Sequence, residues 1–218
     1  RVLDAVIALI EREQPDVFAY AEVSTGSFRT AQLDQHQYLL ARCRHRSVSD
    51  AAVSKYGETV LNLAPFHTGN CNGVMSFRPA VISERYLTRS RKKLVFRIEL
   101  DRLTIFAVHL PLVSTDRRAQ LLELADLVNE TDGDVVVCGD FNIFDGLDEL
   151  SVLEERTELR VAGTGEPTYP SAHPRLQLDV FLYRFSDPTV QPRLRTLSSL
   201  ASDHLPVLLE WESDENTG

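Results

Sequence analysis

The amino-acid sequence predicts an α/β (α+β) domain with mixed sheets and helices on the outer faces. Apolar patterns typical of strands recur along the 218 residues, whereas helical patterns are few but strong. Segments 93–99 and 103–108 are close enough in the chain to pair antiparallel, while other strands are separated by a helix. Hydrophobic residues make up 43% of the chain, which supports a substantial core.

Two segments carry strong helical periodicity. Residues 2–13 place apolar side chains near helical spacing, and Pro15 ends this helix because proline cannot continue it. Residues 115–130 form the second predicted helix, with either Ser114 or Thr115 as its N-terminal cap.

Strands are predicted in the apolar segments between these helices. Segment 17–21 ends at Glu22, segment 103–108 ends at His109, and segment 135–138 ends at Gly139 and Asp140. Region 28–70 has no clear periodicity, and we assign it only loosely. Further strands are expected at 73–77, 80–87, 93–99, 177–183 and 204–211.

Charge and cysteine content argue against several classes of protein. The chain carries 32 acidic and 23 basic side chains, and its net charge of −9 disfavours nonspecific coating of nucleic acid. No apolar stretch approaches the roughly 18 to 20 residues of a membrane span, and no signal peptide is visible. Three cysteines without a CxxC spacing indicate free thiols in a reducing cytoplasm. We therefore expect a cytoplasmic protein without a membrane span, and a monomer.

The informative pattern is the position of polar residues at the ends of apolar strands. Glu22, His109 and Asp140 each follow such a strand, and the pair Asp203 and His204 directly precedes another. The start of one antiparallel strand lies beside the end of its neighbour, so these groups can meet at one edge of a sheet. Ligand sites in sheet proteins often occupy that place.

Each of these residues also has a structural interpretation. Glu22 is as well explained as a surface charge at a strand end, and His109 as a structural histidine. Asp140 and Asn142 lie in a Gly-Asp-Phe-Asn segment that is typical of a turn. Asp179 is the hardest to explain structurally. It lies inside an apolar strand, where a carboxylate costs several kcal/mol unless an imidazolium or a similar group pairs with it.

The chemistry of the set is coherent. It contains carboxylates, one amide and two imidazoles but no thiolate, and hard oxygen ligands favour Mg²⁺ or Mn²⁺ over zinc. An aspartate–histidine pair supplies an oriented proton donor or acceptor. Together with a divalent ion, such groups stabilise the extra negative charge of a phosphoryl transition state.

The order of these residues resembles that of the endonuclease/exonuclease/phosphatase superfamily, whose fold is similar to that of pancreatic deoxyribonuclease. The resemblance implies a four-layer αββα sandwich of two mixed, mostly antiparallel sheets flanked by helices. One position departs from the family pattern, because Ala21 replaces the usual glutamine before Glu22. The matching segments, in family order, are 15–23, 106–110, 117–121, 139–142 (Gly-Asp-Phe-Asn), 178–181 and 202–207 (Ser-Asp-His-Leu-Pro-Val).

The resemblance implies a metal site and a proton-transfer group. Glu22 takes the place of the family's metal ligand, with Asp203 near the metal. His204 takes the place of the catalytic histidine, and Asp179 that of the aspartate that orients it.

It also implies the groups that handle water and phosphate. Asp140 is expected to align or activate the nucleophilic water, and Asn142 to bind a phosphate oxygen. His109 takes the place of a histidine that contacts the scissile phosphate. The division of acid and base roles between the two histidines stays open.

Three functions compete at this point. The leading one is a metal-dependent phosphoesterase acting on a phosphodiester or a small phosphorylated molecule, the second is a DNA repair-type nuclease using the same site, and the third is a catalytically silent binding module. The basic clusters 42–46 and 89–93 fit a nucleic-acid partner, but a solvated face or a charged edge strand is the more common origin of such clusters. Two residues in a turn-rich segment, His67 and Asn72, are candidate substrate contacts.

The domain organisation follows from the same resemblance. We expect residues 1–218 to form a single domain with an acidic tail at 212–218. Family members normally begin with a strand that ends in asparagine before the first helix, and the first strand is expected to be missing here.

Overall fold

The structure is a computed structural model that describes residues 2–24, 33–43, 48–54, 70–163, 166–199 and 201–212. Its helices are α1 (Val2–Glu13), α2 (Gln35–Cys43), α3 (Ser114–Asn129) and α4 (Ser151–Arg156), with a 3₁₀ turn at Leu147–Leu150. Its strands are β1 (Val17–Ser24), β2 (Ser49–Ser54), β3 (Asn70–Ser76), β4 (Val81–Tyr86), β5 (Leu94–Leu100), β6 (Leu103–His109), β7 (Asp134–Asp140), β8 (Arg160–Ala162), β9 (Asp179–Arg184), β10 (Arg193–Thr196) and β11 (Val207–Glu210).

The largest sheet has six strands in the order β4-β5-β6-β7-β9-β8. It is mixed, because β6 and β7 pair parallel while its other neighbours pair antiparallel. A three-stranded antiparallel sheet has the order β1-β3-β2, and β10 pairs with β11. The antiparallel pairing expected for segments 93–99 and 103–108 is confirmed by β5 and β6.

The core is divided by these sheets into successive apolar layers. Helices α3 and α4 pack on one face of the six-stranded sheet. The other face packs against side chains from β1, β2, β3, β10 and β11. Helices α1 and α2 then cover the outer face of the three-stranded sheet around Met75. This mixed α/β arrangement of helices outside and sheets inside confirms the predicted fold class.

The predicted elements agree with the structure where their periodicity is strong. Both helices are confirmed, although α3 has Val113 at its N-cap and no side-chain cap hydrogen bond, so the cap predicted at Ser114 or Thr115 is wrong. Strand β1 continues past Glu22 to Ser24. No pattern in the sequence predicted α2 and β2, which lie in the loosely assigned region, or the short α4, β8 and β10. Short elements at the rim carry too few residues for a clear period.

The buried arginine of α3 connects two loops beside the sheet edge. Arg117 is 1% exposed and donates hydrogen bonds to the carbonyl oxygens of Pro111 and Leu112, which follow β6. Its Nε and Nη2 atoms both donate to Glu149 Oε2 in the 3₁₀ turn, at 2.8 and 2.5 Å. This network holds the chain at the end of β6, where His109 lies.

In the described part of the chain, no helix is both long and apolar enough to cross a lipid bilayer.

Candidate active site

Strand register brings three of the predicted site residues to one sheet edge. His109, the last residue of β6, is the parallel register partner of Asp140, the last residue of β7. Asp140 is also the antiparallel partner of Asp179, the first residue of β9. The edge therefore places two carboxylates and an imidazole on consecutive strands.

The Gly-Asp-Phe-Asn segment, residues 139–142, packs closely against the backbone at the end of β6. Gly139 has φ +137°, and a Cβ atom there would lie 2.0 Å from the carbonyl oxygen of Val108, so glycine is required. Asn142 also has positive φ, at 51°, and its backbone N–H donates to Asp140 Oδ1 at 2.9 Å. Its amide Nδ2 donates to the Leu110 carbonyl at 2.8 Å and to Asp140 Oδ2 at 3.2 Å. Asn142 thus orients the Asp140 carboxylate, and its expected phosphate contact stays a prediction.

A second contact joins His204 to the sheet. His204 Nδ1 lies 2.7 Å from Asp179 Oδ2. Buried Thr168 braces both residues, because its hydroxyl accepts from the Asp179 backbone N–H and its carbonyl accepts from Leu205 N–H at 2.8 Å. The ring of Tyr169 lies 4.9 Å from the His204 ring, centroid to centroid. The imidazole is therefore held at one nitrogen and along one face.

Burial and neighbouring charges shift the pKa values of Asp140 and His204. Burial, reinforced by the charge of Asp179, raises the pKa of Asp140 to about 6. Burial of His204 favours its neutral form, but the hydrogen bond to Asp179 and the surrounding carboxylates outweigh that effect and raise the pKa of His204. Asp140 is thus a stronger base than an ordinary aspartate, and His204 holds its proton more tightly than an ordinary histidine.

Glu22 enters the site from the other sheet through a bulge in β1. The β1–β3 register shifts between Tyr20 and Val23, and Glu22 adopts φ +58°. Buried Asn72 braces the bulge, because its side-chain oxygen accepts from the Glu22 backbone N–H at 3.3 Å. Glu22 Oε1 lies 3.9 Å from His109 Nε2, so the bulge connects the two sheets at the site.

A lysine lies between these groups. Lys92 Nζ is 2.5 Å from His109 Nε2 and 3.7 Å from Glu22 Oε1. An ammonium group only donates hydrogen bonds, so His109 Nε2 is the acceptor. The same Nε2 atom lies 3.4 Å from Asp140 Oδ2. Lys92 therefore supplies a positive charge within a mostly acidic site.

The remaining predicted site residues are less closely connected. Asp203 is exposed, and its Oδ1 accepts from the hydroxyl of Ser202 at 3.2 Å, so its role near a metal stays a prediction. His67 and residues 44–46 of the first basic cluster lie outside the described residues. In the second cluster, Arg89 and Arg91 are exposed, whereas Lys92 is only 20% exposed at its side chain.

The structure adds site residues that sequence reasoning missed. In the sequence Lys92 is one member of the basic cluster 89–93, and nothing in its spacing distinguishes it from Lys93. Thr168 and Tyr169 precede β9 in a segment without a motif. Their role depends on a turn that brings them against His204, which no local pattern reports.

The described residues contain one group suited to a metal ion. Ligand atoms of Asp140, Asp179 and His204 all lie within 4.8 Å of one another. Carboxylate oxygens are the hard ligands that Mg²⁺ and Mn²⁺ prefer.

Comparison with known protein families shows a match over most of the chain. Residues 1–204 match the endonuclease/exonuclease/phosphatase family. The chain belongs to this family. Members of the endonuclease/exonuclease/phosphatase family are hydrolases that act on phosphoester bonds.

Comparison with curated and solved proteins places this family member among varied relatives. It is 38% identical over 122 residues to the uncharacterized protein YbhP of Escherichia coli K12, an alignment that covers 49% of this chain and 45% of YbhP. The chain thus spans less than half the length of that relative. A humanized D. rerio TDP2 with 14 mutations superposes with a TM-score of 0.71 and 17% identity, covering 97% of this chain and 91% of the other. A mannosyl-6-phosphatase of Bacteroides thetaiotaomicron superposes with a TM-score of 0.70 and 11% identity, covering 97% and 90%. At these identities the likeness shows the fold.

Proposed function

We propose that this chain is an Mg²⁺- or Mn²⁺-dependent phosphoesterase that hydrolyses a phosphodiester or a phosphomonoester by in-line attack of water. The observation that carries the proposal is the group of Asp140, Asp179 and His204 at the sheet edge, with ligand atoms within 4.8 Å of one another. Membership of the endonuclease/exonuclease/phosphatase family supports the reaction class.

Asp140 is the residue we assign to the attacking water. Two hydrogen bonds from Asn142 fix its carboxylate. Its pKa of about 6 lets it be ionised near neutral pH while remaining basic enough to accept a proton. Asp140 therefore orients and deprotonates the water in this proposal.

His204 is the residue we assign to the leaving-group side. Asp179 holds its Nδ1 at 2.7 Å, which leaves Nε2 to face the substrate as a proton donor. The raised pKa of His204 favours the protonated form that can stabilise the developing charge. His109 lies beside Asp140 and contributes to binding the same phosphate.

The residues present fit the divalent ion that the family implies. Glu22 is 56% exposed at its side chain and Asp203 is exposed, so both carboxylates are accessible to a hydrated ion. In this proposal Glu22 and Asp203 would hold the ion, while Asp140, Asp179 and His204 keep the proton-transfer and positioning roles given above. When bound, the ion supplies Lewis-acid stabilisation of negative charge on the phosphate.

Two alternatives use the same fold and are separated by experiment. A DNA repair-type nuclease uses the same residues on DNA, and a silent binding module hydrolyses nothing. We would measure Mg²⁺- and Mn²⁺-dependent hydrolysis of bis-p-nitrophenyl phosphate, p-nitrophenyl phosphate, phosphoinositides, plasmid DNA and abasic DNA.

The proposal expects hydrolysis that is lost in Asp140→Asn and His204→Ala. Asp134→Asn is the matched control, because Asp134 lies at the opposite end of the same strand and accepts from Ser186. Plasmid nicking at physiological salt that depends on Asp140 and His204 would favour the nuclease. No hydrolysis of any phosphoester would favour the binding module.

A further inference from the structure

The contacts of Lys92 assign it a place in the site that the proposed roles above do not use. Its ammonium lies 2.5 Å from His109 Nε2 and 3.7 Å from Glu22 Oε1. The neighbouring Lys93 instead lies over the Tyr86 ring, with Nζ 5.9 Å from the ring centroid. The two adjacent lysines therefore differ in position, and of the two it is Lys92 that reaches His109 at the sheet edge and Glu22 of β1.

Helix α3 determines the path of the loop that carries Lys92. The side chain of Gln120 is fully buried, and its Nε2 donates to the backbone carbonyls of Arg89 and of Lys92, the latter at 2.7 Å. One turn further along, Glu123 accepts from both the backbone N–H and the hydroxyl of Thr88, at 2.7 and 2.6 Å. Loop 88–92 is thus fastened to α3 at both ends.

The chemistry of an ammonium group at this point indicates its ligand. Lysine is a compact cation on a flexible stem, and it binds phosphate oxygens as a point charge with three donors. Lys92 Nζ now lies against the His109 imidazole nitrogen and 3.7 Å from a carboxylate oxygen of Glu22. A phosphate oxygen bound beside His109 would therefore come close to the ammonium group. The side chain can exchange the His109 contact for a phosphate oxygen without a change in the backbone.

We propose that Lys92 binds an oxygen of the substrate's phosphoryl group and that Gln120 is a positioning residue that holds Lys92 at the site. This inference rests on the proposed phosphoesterase function. The inference extends that function by naming Lys92, from the basic cluster 89–93, as a binding residue and Gln120 of α3 as the residue that positions Lys92.

The first test measures binding without turnover. Inorganic phosphate is titrated into the Mg²⁺-loaded protein by isothermal calorimetry. We expect Lys92→Met to weaken phosphate binding at least tenfold, and Lys92→Arg to stay within about threefold because it keeps the charge. Lys93→Met, which removes the same charge one residue away, should bind as the wild type does.

The outcomes of this titration separate the inference from the proposed function. Equal phosphate affinity in Lys92→Met and wild type, or no phosphate binding by the wild type, would overturn the inference. Phosphate binding that depends on Lys92 in a protein that hydrolyses no phosphoester would support the inference and contradict the proposed function.

The second test asks whether Gln120 acts through Lys92. Gln120→Met keeps the volume but removes both donors, and we expect a loss of about tenfold in kcat/KM. In the Lys92→Met background the same substitution should cost less than twofold, since no lysine remains to be positioned. Equal losses in both backgrounds would mean that Gln120 is only structural and would overturn its assignment.

A second variant covers the case in which Gln120→Met does not fold. Glu123→Ala releases Thr88 at the other end of the loop and lies on the surface side of α3. It should lower kcat/KM in the wild-type background and not in the Lys92→Met background. Circular dichroism establishes that each variant is folded before the kinetics are compared.

Discussion

Asp179 Oδ2 and His204 Nδ1 lie 2.7 Å apart, although one residue begins a strand of the six-stranded sheet and the other precedes β11. This contact explains how an aspartate in an apolar segment is tolerated, because the imidazole offsets the cost of its partial burial. It also fixes the tautomer of the imidazole, since the nitrogen bonded to Asp179 carries a proton.

The first prediction concerns this pair. Asp179→Asn keeps the size of the side chain but removes the charge, so the pKa of His204 should fall and kcat should drop by about 100-fold or more. The pKa is followed by NMR titration of the histidine ring. Asp187→Asn, a surface change in a turn closed by Thr189, is the control. An unchanged His204 pKa would contradict the interpretation.

The second prediction concerns stability and pH. The pKa of Asp140 is about 6 in the folded protein against an ordinary 3.8, so the folded state binds this proton more tightly than the unfolded chain. Stability from this group is complete below about pH 3.8 and is lost as the pH rises through 6. The free energy of unfolding that Asp140→Asn gains over the wild type should therefore be larger at pH 8 than at pH 4.5, by on the order of 1 to 3 kcal/mol.

Urea unfolding of metal-free protein at the two pH values checks this. The quantity compared is the variant's free energy of unfolding minus that of the wild type. Asp134→Asn, which removes a carboxylate at the far end of β7, is the control variant. A difference that is the same at pH 4.5 and pH 8 would contradict the prediction.

The third prediction separates close packing from backbone strain at two glycines. Both Gly139 and Gly146 have positive φ. A Cβ atom on Gly139 would lie 2.0 Å from the Val108 carbonyl oxygen, whereas a Cβ atom on Gly146 would have no neighbour within 4 Å. Gly146→Ala should cost about 1 to 3 kcal/mol of backbone strain, and Gly139→Ala should cost more than that because the clash with the Val108 oxygen is added. Thermal unfolding of the two variants gives the comparison, and similar midpoints would refute the role of close packing.

The fourth prediction concerns the buried guanidinium of α3. Arg117→Met removes the donors to two loop carbonyls and leaves Glu149 without its cation, which should cost about 3 to 5 kcal/mol. Arg118→Met, at the exposed neighbouring position, should cost little. Chemical denaturation measures the free energy of unfolding of both variants. A loss for Arg117→Met as small as that for Arg118→Met would show that the network contributes nothing to stability.

The fifth prediction concerns the divalent ion. Mn²⁺ should raise the melting temperature of the wild type because a ligand that binds only the folded state stabilises it. Glu22→Gln and Asp203→Asn should reduce this shift, and Glu11→Gln, an exposed change on α1, should keep it. A full Mn²⁺ shift in both site variants would reject Glu22 and Asp203 as ligands.

Much of the site could be predicted because its chemistry lies at the ends of well-patterned strands. The runs before His109 and Asp140 are continuously apolar, and each of these two residues is the last one of its strand. The pair of Asp203 and His204 stands directly before an apolar run. In each case the signal lies within a few residues of the functional group.

The sequence by itself determined the two long helices, the central strands and the polar residues that end them, because periodicity and turn chemistry are local properties. Only the tertiary structure decided that Lys92 enters the site while Lys93 does not. The loop path depends on Gln120, 28 residues away, and on contact with His109, 17 residues away. A lysine's reach and a loop's path follow from such distant contacts, and no sequence period encodes them.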